Sequence, residues 1–449
     1  MASDAGGLQR RLGLPSAIAI TTGGVIGSGI FLTPLGVAQS LPSEPWIHVL
    51  WLALGVICLC GAFAYAELAA MFPQAGGQYA FLREAWGRLP AFLWGWVFFW
   101  IITPGSIAAL AVACARAVAQ LIHLQPSADG TVLAIACAMI AVLAAVNVRG
   151  VAAGALLQNV ATIAKVGALA LLVVAAFAAP AHSSVSAVPP SQPLTFASVL
   201  TAFVWVFWAY EGWYELPFNA AELKRPERDL PRGLILGLAI VVVVYVAVQA
   251  AYLRLVPLSE QLQLPSSDAQ ALPARAFVVA FGPGADAWLL ALLALSVFGS
   301  ANPGLLSSPR AFYAMAQDGL LPRALVAVHP KSGTPVVAIV VQAITAGLQV
   351  VVLQSFRDLT EFVVFASFLG YALTVAGVMR LRRTRPLAVR PYRCAGYPVT
   401  PLLFMATALA FVAGLLADPA QRANACYGLC ILATGLPAYW WITRCRSQR

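Results

Sequence analysis

The chain has 449 residues, of which 61% are hydrophobic and only 10% are charged, and its mean hydropathy is +0.84. A soluble domain is typically about 45–50% apolar and about 25% charged, so this composition excludes an ordinary soluble enzyme and a disordered chain. The formal charge of +10 is therefore read against a membrane topology before any nucleic-acid partner, and no nucleic acid is expected.

A membrane-crossing helix needs roughly 20 predominantly apolar residues. Twelve stretches qualify, at 14–38, 46–71, 90–121, 131–147, 151–178 and 195–221, then 233–255, 285–306, 334–353, 358–380, 398–417 and 423–442. Gly and Pro occur inside them and strand-like alternation is absent, which predicts helices rather than a barrel. They use most of the chain and leave no room for a large soluble domain.

The first span follows Arg10 and Arg11 and is too long and Gly-rich for a signal peptide, with no small-residue cleavage site before the polar turn at Ser40–Glu44; it is expected to be retained. It contains Gly23, Gly24, Gly27 and Gly29 within seven residues, each worth about 1 kcal/mol against Ala in a helix. Close helix packing through small residues is one reading. That reading predicts spacing by four along one face, whereas these glycines wrap around the axis. The other reading, which the spacing favours, is an unwound segment at mid-membrane, with N–H groups facing a carboxylate and freed carbonyls facing an ammonium.

Glu67, near the inner end of the second span, is assigned to packing or gating, and Arg116, near the outer end of the third, to snorkelling. Lys165 lies far from either end of the fifth span, so it is expected to be paired, to line a cavity or to lose its proton. The sixth span places Glu211 and Glu215 at mid-depth beside Gly212 and Pro217. Either the helix is kinked and its glutamates bond neighbouring helices, or it breaks there to form a site. Breaks in spans one and six make spans one to five (14–178) and six to ten (195–380) candidate repeats, with 398–442 appended. Paired interrupted helices in corresponding halves are a pointer to a transport site.

Basic residues set the orientation. With residues 1–13 and 443–449 in the cytoplasm, twenty-one of the 27 Lys and Arg residues fall on the inner side. Only Arg254, Arg275, Arg357 and Arg422 fall outside, and Arg116 and Lys165 within spans. Of the eight cysteines, Cys58, Cys60, Cys114, Cys137, Cys426 and Cys430 are in spans, and Cys394 and Cys445 are cytoplasmic. No structural disulfide is expected. His48, His123, His182 and His329 fall at span ends or in loops, and neither a metal nor a cofactor is expected. No GxxxxGK[ST] run is present, so ATP-driven transport is not supported.

Several runs carry a resemblance. They are Gly27-Ser28-Gly29-Ile30-Phe31, then Tyr65-Ala66-Glu67-Leu68 with Gly76-Gly77-Gln78-Tyr79-Ala80. They continue with Ala221 to Pro231, and with Phe298-Gly299-Ser300-Ala301-Asn302 followed by Ser307-Ser308-Pro309-Arg310. In this order the chain resembles the amino acid–polyamine–organocation (APC) superfamily from about residue 12 to 380. Within it, the chain is similar to the L-type amino acid transporter (LAT) family and its bacterial relatives.

The resemblance implies an all-α, LeuT-type fold with twelve spans, a 5+5 inverted repeat with broken helices one and six, and alternating access. It implies an amino acid carboxylate at the N–H groups around Gly27, Ser28 and Gly29, beside Ile26. The ammonium would meet carbonyls at Val25, Trp208 and Glu211, in a wall shared with Ala209 and Gly212. By the same match Trp208 closes as an aromatic gate, and Ile101, Ile102 and Ser106 face the substrate side chain. Lys165 matches a lysine that stands where sodium-coupled members hold an ion, so sodium coupling is not expected, while proton coupling and exchange stay open. Glu215 and Glu222 are further candidates for a gate or proton site.

Two departures bear on substrate and partner. Glu211 stands where LAT members often have Gly, which opens a cationic substrate as well as a neutral one. The loop from His123 to Thr131 has no cysteine, so the disulfide-linked heavy chain of animal LAT members is not expected. The expectation is an inner-membrane, secondary-active carrier of neutral L-amino acids in the lipid bilayer. The alternatives are a cationic amino acid or polyamine carrier using Glu211 or Glu215, and a non-transporting amino acid sensor. An enzyme is not expected, since no Ser/His/Asp set or His-rich metal set lies within the spans.

Overall fold

A computed structural model describes residues 8–124, 129–179, 195–266, 268–353, 356–417 and 419–447. His182, Arg449, the middle of the His123–Thr131 loop and the side chains of Arg357, Arg422, Cys426, Cys445 and Arg446 lie outside the described residues.

In a bilayer every backbone polar group must be satisfied internally, and the described chain is helical without a β-strand. In chain order come α1 (Leu14–Val25), α2 (Gly29–Leu32), α3 (Pro34–Ser40), α4 (Glu44–Met71), α5 (Gln78–Trp86) and α6 (Arg88–Val97). Next are α7 (Thr103–Leu121), α8 (Asp129–Arg149), α9 (Val151–Ala178), α10 (Phe196–Tyr210), α11 (Pro226–Leu255), α12 (Leu258–Gln261) and α13 (Ala271–Phe281). The last are α14 (Ala285–Leu306), α15 (Pro309–Gln317), α16 (Val336–Leu353), α17 (Phe356–Thr384), α18 (Val399–Ala417) and α19 (Pro419–Ser447). A π-helical turn, Phe98–Ile102, joins α6 to α7, and 3₁₀ turns cover Trp213–Glu222 and Arg323–Val326.

Among the described residues, eight stretches are long and apolar enough to cross a membrane. They are Leu14–Leu32, Glu44–Met71, Arg88–Leu121, Gly130–Arg149, Val151–Ala178, Pro226–Leu255, Ala285–Gln317 and Val399–Ala417. The expected span at 195–221 is not one helix, because α10 stops at Tyr210. The expected spans at 334–353, 358–380 and 423–442 coincide with α16, α17 and α19, which are not among the eight. The outward faces are apolar, with Ile163, Val243 and Leu156 well exposed, as a lipid-facing surface requires. This is a multi-pass membrane protein.

Inside, α1 is enclosed by α9, α11 and α14, while α11 also packs along α4 and α14 along α7. Three ionic clamps tie short elements to this bundle. Glu67 on α4 accepts from Arg382 (3.0 and 2.5 Å), Arg390 Nε (3.2 Å) and the Cys394 N–H (2.7 Å). Asp318 accepts from Arg83 Nη1 at 2.6 Å and from the Tyr79 hydroxyl at 2.6 Å. Burial and the adjacent carboxylate push the Tyr79 hydroxyl well above its ordinary pKa. In the third clamp Arg310 on α15 reaches Glu222 with Nε at 2.8 Å and Nη2 at 2.7 Å, and both side chains are wholly buried. Glu222 also anchors the N-terminal segment, since its carbonyl accepts the N–H groups of Arg11 (2.8 Å) and Leu12 (2.9 Å).

Breaking a buried ion pair by removing one partner strands the other charge, at about 3–5 kcal/mol. Arg310→Met should accordingly lower Tm in detergent, and Glu222→Leu/Arg310→Met should recover much of the loss. A single variant as stable as Arg116→Ala, a change at an exposed position, would show that the pair contributes nothing.

Candidate functional site

The site begins where α1 fails. The helix ends at Val25, and Ile26 turns to φ −71°, ψ 90° while its N–H still donates to the Thr22 carbonyl at 2.9 Å. Helical geometry resumes at Gly29, with the Ser28 carbonyl accepting from Phe31 (3.0 Å) and Leu32 (2.9 Å). The N–H groups of Ser28 and Gly29 have no backbone acceptor among the described residues. The following helix is short, so these two donors, rather than a long macrodipole, are what the break offers an anion.

α10 fails beside it. Glu211 is extended (φ −64°, ψ 149°), Gly212 is left-handed at φ 106°, and the chain continues as a 3₁₀ turn containing Pro217. A side chain at Gly212 would be strained by that φ, and its Cβ would lie 2.9 Å from the Gly24 carbonyl oxygen. A Cβ on Gly29 would stand 2.5 Å from Ala209 Cα. The glycines thus let the two broken helices meet backbone to backbone. Tyr245 of α11 bridges them, its hydroxyl 2.9 Å from the carbonyls of both Val25 and Ala209.

Lys165 sits behind the first break and is wholly buried. Its ammonium donates to the carbonyls of Gly23 (2.6 Å) and Ile26 (2.5 Å), to Ser300 Oγ (3.1 Å) and toward the Ser296 carbonyl (3.4 Å). Ser300 and Ser296 reinforce this, donating to the Ile26 carbonyl at 2.7 Å and the Gly27 carbonyl at 3.1 Å. The carbonyls freed by unwinding α1 thus find donors in α9 and α14.

Between the breaks lies a cavity. It gathers Val25, Gly27, Ser28, Gly29, Ser106, Trp208, Glu211, Gly212 and Glu215. Ile26 faces away, its carbonyl taken by Lys165, and Ala209 lies behind the wall. Ile101 and Ile102 are not in the lining; they belong to the π-helical turn, whose wider i→i+5 winding shifts the register. Thr103, Ile107 and Leu110 take that wall with Ser106. Lys165 and Glu222 are also outside the lining.

Ser300, Ala301, Gly304, Gly24 and Tyr214 complete the cavity. Ser300 lies in a run quoted above for its family resemblance, whereas Leu110 and Ile107 carry no sequence signal beyond apolarity. Tyr371 of α17 donates its hydroxyl to Glu211 Oε1. Among the described residues, the other oxygen of Glu211, the hydroxyl of Ser28 and that of Thr103 are buried at the cavity with no side chain or backbone group within hydrogen-bond geometry. No cluster of three metal-ligating side chains occurs among the described residues.

Two broken helices meeting at a cavity inside an apolar bundle are the mark of a membrane transport protein. The chain belongs to the amino acid permease family, whose model matches residues 12–436. It is 32% identical to the large neutral amino acids transporter small subunit 2 of Mus musculus, over 98% of this chain and 82% of that protein. It is 30% identical to the cystine/glutamate transporter of Homo sapiens, over 96% and 85% respectively. It is 29% identical to the b(0,+)-type amino acid transporter 1 of Homo sapiens, over 86% and 79%. Its function is amino acid transport, not enzymatic chemistry.

Gly29→Val should drive α2 off α10 and abolish amino acid-dependent thermal stabilisation. Gly167→Ala, where an added Cβ meets nothing within 4 Å, should leave it unchanged; equal stabilisation in both variants would contradict the close approach. Lys165→Ala leaves the Gly23 and Ile26 carbonyls short of donors, and should slow flux at least about tenfold, equivalent to about 1.4 kcal/mol, or change its pH profile. Unaltered flux between about pH 5 and pH 9 would remove Lys165 from any coupling role.

Proposed function

We propose that the protein is a secondary-active, sodium-independent carrier of neutral L-amino acids, working by alternating access in the inner membrane as an exchanger or proton-coupled carrier. In this reading the chain adopts a LeuT-type arrangement of twelve spans. Residues 14–178 and 195–380 are the inverted repeats, 398–442 the appended pair, and 1–13 and 443–449 cytoplasmic termini. The observation that carries it is the meeting of two helix breaks at one cavity, with the Ser28 and Gly29 N–H groups, which have no backbone acceptor among the described residues, on one side and Glu211 on the other.

The substrate carboxylate is assigned to Ser28, Gly29 and the adjoining Gly27, its ammonium to Glu211 and the nearby carbonyls, and its side chain to the wall of Ser106, Ile107 and Leu110. Trp208 closes over it. The mostly apolar wall supports a neutral side chain. Lys165 supports sodium independence, because its ammonium already occupies the carbonyl cage that a cation at that point would need. A cationic amino acid or polyamine is the second reading, favoured by the unpartnered buried oxygen of Glu211.

Uptake and counterflow in proteoliposomes should show stereoselective exchange of neutral L-amino acids, unaffected by replacing sodium. Ligand-dependent stabilisation without flux would identify a sensor instead, and a preference for lysine, arginine or putrescine would establish the second reading.

A further inference from the structure

The centre of the protein carries an unbalanced charge. Among the described residues, three side chains of the acidic and basic types surround the cavity and its back wall: Lys165, Glu211 and Glu215. None of the ion pairs among the described residues involves them. By contrast, Glu222 is paired with Arg310 and Glu67 with Arg382 and Arg390. A buried charge is tolerated only when it is compensated. One ammonium and two carboxylates leave the centre one positive charge short. A zwitterionic amino acid adds no net charge and does not close the gap. Two hydroxyls, Ser28 and Thr103, both 2% exposed or less, line the same cavity without partners among the described residues, as a cavity that receives a ligand would have them.

Resting on the transport reading above, we propose that the missing charge is a proton carried on Glu215, which makes the protein a proton–amino acid symporter. Glu211 lies closest to the breaks, where the substrate ammonium is assigned. Glu215 is four residues further along, 7% exposed, and its partner is Ser308 Oγ at 3.2 and 3.4 Å. A hydroxyl donates to a carboxylate and accepts from a carboxylic acid, so Ser308 accommodates Glu215 in both states without rearrangement. An organic ammonium would need up to three acceptors, whereas a proton needs only one Glu215 oxygen, and Ser308 already hydrogen-bonds that carboxylate.

The groups facing this pair are themselves uncharged acids or carboxylates. Glu211 faces Glu215. Tyr214 lines the cavity with both glutamates, Tyr371 of α17 donates to Glu211, and the rings of Tyr214 and Tyr65 of α4 pack against that of Tyr371. In each cycle one proton from the outer solution binds a Glu215 oxygen and leaves to the cytoplasm with the substrate.

The test measures, in proteoliposomes with a trapped pH dye, the proton flux evoked by adding a neutral amino acid, alongside labelled counterflow and accumulation under an inward proton gradient. Wild type should acidify the lumen on substrate entry and accumulate substrate. Glu215→Gln should lose at least about tenfold of gradient-driven accumulation and the proton signal, with counterflow persisting; Ser308→Ala should shift the pH profile of accumulation. Counterflow in wild type without a proton signal overturns the inference alone. So does a Glu215→Gln protein that still moves protons, and so does a preference for cationic amino acids without proton movement. Absence of counterflow for every amino acid overturns the transport reading and this inference with it.

Discussion

An unwound stretch of membrane helix leaves carbonyl groups without intrahelical donors, and in an apolar bundle such groups must be met by protein. Lys165 meets them here. Its ammonium sits within 2.6 Å of the Gly23 and Ile26 carbonyls and is shared with Ser300, so α9 and α14 together hold the end of α1 open. Once α1 is held open, Ser28 and Gly29 line the cavity with N–H groups that have no backbone acceptor among the described residues. Gly24 can then lie against Gly212, and α10 can break beside α1. Removing the ammonium leaves the Gly23 and Ile26 carbonyls to the hydroxyls of Ser300 and Ser296 alone, fewer donors than the break has with Lys165 in place.

Around this point charge is arranged in two ways. Away from the cavity two buried carboxylates are balanced in place, Glu222 by Arg310 and Glu67 by Arg382 and Arg390. These pairs fix the N-terminal segment and the stretch after α17 to the bundle. At the cavity the carboxylates have hydroxyl partners, Tyr371 for Glu211 and Ser308 for Glu215. Local balance suits a static clamp, whereas hydroxyl partners suit carboxylates whose counter-charge comes and goes with the ligand.

Much of this architecture is legible in the sequence because bilayer physics writes it in composition. The limits of α4, α9, α14 and α18 follow from uninterrupted apolar runs, and Lys165, Glu211 and Glu215 stand out because ionisable residues are so scarce in them. The Gly23–Gly29 run announces a break because its glycines wrap the axis instead of forming one stripe. What stays hidden depends on register or on long-range contact. The π-helical turn at Phe98–Ile102 moves the wall from Ile101 and Ile102 to Thr103, Ile107 and Leu110, and nothing in an apolar run signals such a turn. Tyr371 and Tyr245 reach the site from helices remote in sequence. The short helix α5 falls between apolar runs, where hydropathy alone predicts a loop.

The central claim, that an amino acid is held between the two breaks, is tested most directly by an experimental structure with a bound neutral L-amino acid such as leucine. The expected result places its carboxylate within hydrogen-bond distance of the Ser28 and Gly29 N–H groups, its ammonium beside Glu211, and its side chain against Ile107 and Leu110. Ligand density elsewhere in the bundle, with Ser28 and Gly29 uncontacted, would contradict it.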